Sequence, residues 1–292
     1  MAHFGEKSTL SLQVFTSPGR SFVSSNSPEG EGDNPTWSPS SSTLIYGETD
    51  AVLVDIPATN SQVDSVADWI ESTGKRLTRV FITHGHGDHW LGLARLVQRF
   101  PEASGLATAP VLARAQFEAF DPALAAYWSG IFPGEVPLAA DIVLPDLLDT
   151  DVIALEGHEL RVIPIGQADT AHSTVLYAPT LSAVVTGDLA YNRVHMMTAE
   201  AGASDRERWI ANLDAIAALD PSIVVAGHKK VDRDDAPEIL RESQQYLRDF
   251  GRVAGEESNA PAIVRRMTNL YPDWENLRTL WHSSRAAAAR AR

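Results

Sequence analysis

Apolar residues recur along the chain in two rhythms, one of period two and one of helical spacing, and their order predicts an α/β protein. Leu10 to Phe15 alternates as a strand does, and a stretch rich in Ser, Pro, Gly and Asn follows from Ser24 to Ser42 as a long loop. A loop of that length either borders a functional pocket or is a plain surface excursion. Thr43 to Tyr46 and Ala51 to Asp55 read as strands, and Val63, Val66, Ala67 and Ile70 fall at helical spacing before Gly74. Arg79 to Thr83 is a further strand that runs into a His-rich turn. After that turn Leu91, Leu93, Leu96, Val97 and Phe100 mark a helix ending before Pro101.

Phe117, Phe120, Tyr127, Trp128 and Phe132 stand among small residues and prolines, which predicts a helical insertion with an aromatic face near residues 110–140. That face either lids an apolar substrate or packs the insertion onto the body. Val152 to Leu155, Leu160 to Ile165, Thr174 to Tyr177 and Ala183 to Thr186 read as strands, and Asp205 to Leu219 as a helix. Ile223 to Ala226 is a last strand, ending at Gly227 and His228. Helices over Ala236 to Phe250 and in the tail from Trp274 to Arg292 fill residues 236–292. No internal repeat of fixed period is visible, and a single catalytic domain over residues 1–292 is the expectation.

Composition narrows the partners. With 24 Lys and Arg against 38 Asp and Glu, the net charge of −14 repels phosphate backbones, so nucleic acid is not an expected partner. The chain has no Cys, which removes thiolate catalysis and sulfur metal sites and leaves His and carboxylate as the available ligands. Met1 to Leu10 contains Glu6 and Lys7 without a continuous apolar stretch, and no apolar run reaches the ~18 residues that span a bilayer. A cytoplasmic protein without a membrane partner is expected, and a homodimer remains open.

Three of the nine histidines fall in Thr83-His84-Gly85-His86-Gly87-Asp88-His89. A turn anchored by a buried strand is rigid, and Gly85 and Gly87 allow a tight path along which four side chains converge. Imidazole and carboxylate suit Zn²⁺ and similar ions where thiolate is missing. His3, His158 and His282 stand outside any motif and read as surface or packing residues.

This string resembles the His-x-His-x-Asp-His signature of the metallo-β-lactamase superfamily. Asp55, at the end of its strand, is similar to the family's early aspartate, with Ile56 in place of the usual glycine. Thr186-Gly187-Asp188 resembles the bridging aspartate segment, and Ala226-Gly227-His228 the final histidine. Where many relatives carry Gly-His-Thr, this chain has Gly166-Gln167-Ala168-Asp169-Thr170. The resemblance therefore puts Gln167, or alternatively His172, in the place of the third histidine. Glutamine is a weaker donor than imidazole, so that site would be the looser.

The resemblance implies a four-layer αββα sandwich and two divalent metal ions, Zn first, with Mn or Fe as alternatives. One ion would be held by His84, His86 and Gln167, the other by Asp88, His89 and His228, with Asp188 bridging. Water bound to such ions is acidified to a pKa of about 7, and the hydroxide attacks a carbonyl carbon while Asp88 orients or shuttles the proton. Tyr191 is similar in placement to the tyrosine that acyl-homoserine-lactone lactonases of the superfamily hold beside the substrate carbonyl, or else is a core tyrosine. His195 is a second candidate for substrate contact. The expected function is hydrolysis of an ester, lactone, thioester or amide in a small, partly apolar metabolite, of lactonase, esterase or thioesterase type. The alternative is a non-catalytic or regulatory metal- or ligand-binding protein of the same fold, with a nuclease disfavoured by the charge.

Overall fold

The computed structural model describes residues 9–23 and 35–291. His3, most of Met1 to Leu10, and positions 24–34 of the anticipated loop lie outside them. Strand β1 (Ser11–Ser17) is followed by the short β2 (Arg20–Ser21) and β3 (Thr36–Trp37), which pair with each other. Then come β4 (Ser40–Tyr46), β5 (Asp50–Val54), helix α1 (Asn60–Ser72), β6 (Arg76–Phe81), α2 (Leu93–Arg99) and β7 (Ser104–Ala107). The insertion is the helix pair α3 (Ala109–Phe120) and α4 (Pro122–Ile131), and β8 (Asp146–Leu147) closes the first sheet. Its strand order is β1-β4-β5-β6-β7-β8, antiparallel at β1, β4 and β5 and parallel from β5 to β8.

The second half runs β9 (Val152–Leu155), β10 (His158–Gly166), β11 (Ser173–Ala178), β12 (Ala183–Val185), β13 (Tyr191–Asn192), α5 (Ala203–Ala217), β14 (Ile223–Val225) and β15 (His228–Lys229). Its sheet has the order β14-β12-β11-β10-β9, and β13 pairs with β15 alongside. Helices α6 (Glu238–Glu256), α7 (Ala260–Leu270) and α8 (Leu277–Arg290) complete the chain.

Strand alternation explains the layering. Ile45, Val52, Val54 and Phe81 on the inner face of the first sheet meet Leu160, Val162, Leu176, Val185 and Val225 of the second, which forms the core between the sheets. Residues on the outer face of the first sheet, such as Leu44, Leu53 and Val80, pack under α1 to α4. On the far side Val175, Val184 and Val224 pack under α5 and α6, with α7 and α8 behind. The result is the αββα sandwich. No helix among the described residues is long and apolar enough to cross a membrane.

Several boundaries differ from the reading of the pattern. β4 begins at Ser40 rather than Thr43, because Ser40, Ser41 and Ser42 pair with Ser17, Thr16 and Phe15 of β1 although they carry no apolar signal. β7, with Ser104-Gly105-Leu106-Ala107, has too few apolar residues to show a period, and α7 was hidden between two anticipated helices. The sheets are tied together just beyond the ends of β6 and β14, where β11 and β4 begin. Thr174 N and its hydroxyl both donate to Thr83 O (2.9 and 2.7 Å), and Ser41 N donates to Gly227 O at 2.8 Å.

Candidate metal centre

The turn after β6 leaves the sheet at Thr83 and is fixed from below by Asp55. That residue sits in the left-handed region (φ 58°), where Asp is among the better tolerated residues, and is almost fully buried. Its Oδ1 accepts from Thr83 N at 2.8 Å, and its Oδ2 from the Thr83 hydroxyl at 2.7 Å and from His89 Nδ1 at 2.9 Å. His84 Nδ1 in turn donates to Thr83 Oγ1 at 3.1 Å. Gly85 and Gly87 both have ordinary negative φ, so the need for glycine is one of space. A Cβ at Gly85 would meet Ala115 N at 2.9 Å and one at Gly87 would meet Trp128 Cε2 at 2.7 Å, so the insertion helices lie directly on the turn.

Each of the four imidazoles is held by one nitrogen and turns the other inward. His84 and His89 are held as described; His228 Nδ1 donates to Pro39 O at 2.8 Å, and His86 Nε2 to Glu200 Oε1 at 3.2 Å. Such bonds fix the tautomer and orient the free nitrogen, which is how metal-binding histidines are ordinarily supported. The free atoms His84 Nε2, His89 Nε2, Asp169 Oδ2 and Asp188 Oδ1 are buried and have no hydrogen-bond partner. Four orphaned polar atoms in one place carry a large desolvation cost unless something shares them.

Their spacing fits a cation. Donors about 2.0–2.2 Å from a tetrahedral ion stand roughly 3.3–3.6 Å apart. His89 Nε2 lies 3.4 Å from Asp188 Oδ1, His228 Nε2 3.4 Å from Asp188 Oδ2 and 3.5 Å from Asp88 Oδ2, and His89 Nε2 4.0 Å from Asp88 Oδ1. Asp188 thus presents one oxygen to each of two histidines. A second group, His84, His86 and Asp169, has its ligand atoms within 4.8 Å of one another, as does Asp88, His89 and His228. The donor set suits divalent metal ions.

Gln167 does not join either group: its side-chain amide donates to Ala168 O at 2.9 Å. His172, exposed and with φ 66°, lies at the start of β11 and also stays away. Asp169 instead lies with His84 and His86, two residues beyond Gln167 and past a bulge between Pro164 and Gly166 of β10. Asn212 of α5 holds the bend by donating to both Ile165 O and Gln167 O at 2.7 Å.

The charges are strongly coupled. Burial opposes protonation of His86, but the carboxylates of Asp169 and Glu200 outweigh it and raise its pKa well above the usual value. Burial likewise opposes the charge on His89, yet Asp188 and Asp55 lift it to about 10. His84, which burial and His89 disfavour, is pushed well below the ordinary imidazole range. Burial would raise Asp188, but His228 and His89 draw it well below the usual carboxylate value. Burial and the Asp188 charge raise Tyr191, whose hydroxyl donates to Asp188 Oδ2 at 2.5 Å and so stays protonated.

The centre opens into a cavity of about 210 Å³. Trp37 and Ser38 form one side, Leu124, Tyr127 and Trp128 of α4 another, and Arg278 and His282 of α8 a third. Trp37 Nε1 donates to Asp88 Oδ2 at 3.1 Å, while the Arg278 guanidinium lies 4.2 Å from the Trp37 ring centre and donates to the Tyr127 hydroxyl. Arg114 of α3 binds Glu200 at 2.8 Å and Glu118 at 3.2 Å. Trp128 packs 5.2 Å from Trp37 between ring centres, so the insertion both stacks on the body and lines the cavity, while Phe117 and Phe120 face solvent. Tyr191 reaches the cavity, but His195 does not: it is fully buried, with Nδ1 3.1 Å from the Tyr246 hydroxyl. His282, read from sequence as a packing or surface residue, lines the cavity instead. Trp37, Asp169, Glu200 and Arg278 were not singled out as site residues; for Asp169 the sequence signal was Thr170 beside it, which matches the Thr of the Gly-His-Thr segment.

The model of the metallo-β-lactamase superfamily matches residues 35–228, and the chain belongs to that family. Among solved structures, a metallo-β-lactamase from Pontibacter korlensis is 20% identical, with a TM-score of 0.58 over 85% of this chain and 97% of the other. The metallo-β-lactamase DIM-1, in a crystal exposed to ceftazidime, is 16% identical, with a TM-score of 0.58 over 84% and 99%. FIM-1 from Pseudomonas aeruginosa, in its mono-zinc form, is 16% identical, with a TM-score of 0.55 over 83% and 92%. At such identities the likeness is one of fold. No curated protein matches the sequence.

Proposed function

We propose that the chain is a metal-dependent hydrolase that cleaves a carbonyl-centred bond, an ester, lactone, thioester or amide, in a small and partly apolar metabolite. The observation that carries this reading is the common orientation of His84, His86, His89 and His228, each with one nitrogen held and the other turned into the centre. His84 and His86 would hold one ion and Asp88, His89 and His228 the other, with Asp188 between them. A pair of divalent cations held there would supply acidified water and stabilise negative charge on a carbonyl oxygen.

The chain's own residues do the rest. Asp88 is only partly buried, lines the cavity and is fixed by the Trp37 indole, so its carboxylate is placed to take up and return a proton. Tyr191 holds Asp188 through its hydroxyl, and the cavity wall of Trp37, Leu124, Tyr127, Trp128 and Met197 excludes water around an apolar substrate part. The placement of Tyr191 favours a lactone or ester. Purified protein assayed on a panel of lactones, thioesters and aryl esters is expected to lose activity on chelation and regain it with Zn²⁺ or Mn²⁺. Binding of metal without turnover of any substrate class would favour the regulatory reading instead.

A further inference from the structure

Asp169 is fully buried at the floor of the cavity. Its Oδ1 accepts from Thr170 N at 2.7 Å, which turns Oδ2 toward the histidines. Oδ2 lies 2.7 Å from His86 Nδ1 and 3.8 Å from His84 Nε2, at angles that make no regular hydrogen bond. With Nε2 directed at Glu200 Oε1, the His86 ring turns Nδ1 to the Asp169 oxygen. The Asp169 oxygen, His84 Nε2 and His86 Nδ1 lie within 4.8 Å of one another, near enough for one cation to take all three.

We propose that Asp169 is a metal ligand and stands where an imidazole would otherwise complete the half-site of His84 and His86. This rests on the metal-dependent reading of the centre. Both half-sites then present two imidazole nitrogens, one carboxylate of their own and a share of Asp188. Neither is the looser, contrary to what a Gln167 ligand implies. Three carboxylates facing two divalent cations leave one positive charge on the cluster. An oxygen donor in place of nitrogen also makes the first half-site harder, which raises the standing of Mn²⁺ or Fe²⁺ relative to Zn²⁺.

The test is metal counting on desalted protein, with competition between Mn²⁺ and Zn²⁺ and circular dichroism to follow folding. Wild type and Gln167→Ala are expected to hold two ions per chain and Asp169→Ala one, with affinity at the emptied half-site weakened by at least about 100-fold, the upper end of the cost of losing even an outer supporting partner. Asp169→His is expected to keep two ions and to shift the competition toward Zn²⁺. Two tightly held ions in Asp169→Ala, or one in Gln167→Ala, would overturn the assignment while leaving the hydrolase reading intact. A wild-type chain that holds no ion would sink both. Should Asp169→Ala not fold, the Gln167→Ala count and the Asp169→His competition carry the decision.

Discussion

His195 offers a test of the fold's electrostatics away from the metal centre. The ring is fully buried beside Tyr246 and Trp274, with centroids 5.8 and 6.2 Å away, and its Nε2 has no partner. Burial pushes its pKa down to about 3, so the folded protein keeps it neutral at every pH above that. In the unfolded chain the ring takes a proton below about 6.5. Between those values the unfolded state binds more protons, and stability therefore falls as pH drops from about 6.5 toward 3. At pH 5, about 1.5 pH units below the unfolded value, the loss is about 2 kcal/mol at ~1.4 kcal/mol per unit. Replacing His195 with Gln keeps a polar group near the Tyr246 hydroxyl and removes the titration. Guanidinium chloride unfolding of both proteins in EDTA, at pH 7.5 and pH 5, is expected to show wild type losing about 2 kcal/mol more than His195→Gln over that interval. Parallel pH dependences would refute the claim that His195 is held neutral by burial.

Other perturbations test how the centre is supported. Glu200→Gln removes the anion that receives His86 Nε2–H and is bound by Arg114 and by the Thr170 hydroxyl, and metal affinity is expected to fall about 10- to 100-fold in a chelator competition. Trp37→Phe keeps an aromatic surface for Arg278 but removes the indole donor to Asp88. Since a hydrogen bond to a charged group is worth about 1.5–3 kcal/mol, turnover on an active ester or lactone is expected to drop tenfold or more with metal content unchanged, about the factor that 1.4 kcal/mol confers. Loss of metal in that variant would instead assign Trp37 to positioning Asp88 as a ligand.

What could be read from the chain alone follows from how local each signal is. Thr83 to His89 carries its ligands within one turn, and Asp188 and His228 each stand shortly beyond a short apolar strand, Ala183–Val185 and Ile223–Val225, whose ends point to one edge of the sandwich. Strand periodicity marked where these residues leave their strands, while the family resemblance brought them together and supplied the two sheets with their flanking helices. Glu200, Trp37 and Arg278 come from a loop, the two-residue strand β3 and the first turn of α8, all too short for periodicity to mark a side chain as inward-facing. Their roles depend on Arg114, Asp88 and Tyr127, residues separated from them in sequence by 51 to 151 positions.

Asp169 shows where local pattern fails even beside a recognisable motif. Counting from Gly166 places Gln167 at the position of a ligand, but the count assumes that β10 ends in register. The bulge between Pro164 and Gly166 rotates the following residues, Gly166 adopts φ 73°, and Asn212 clamps both Ile165 O and Gln167 O. A one-residue slip exchanges the two faces of a strand, so a bulge can change which side chain reaches the centre. Gln167 then satisfies itself on Ala168 O, while Ala168, fully buried, fixes the turn that sends Asp169 inward. The Asn212 amide that holds this bend comes from α5, 47 positions along the chain from Ile165 and 45 from Gln167, beyond the reach of any local pattern.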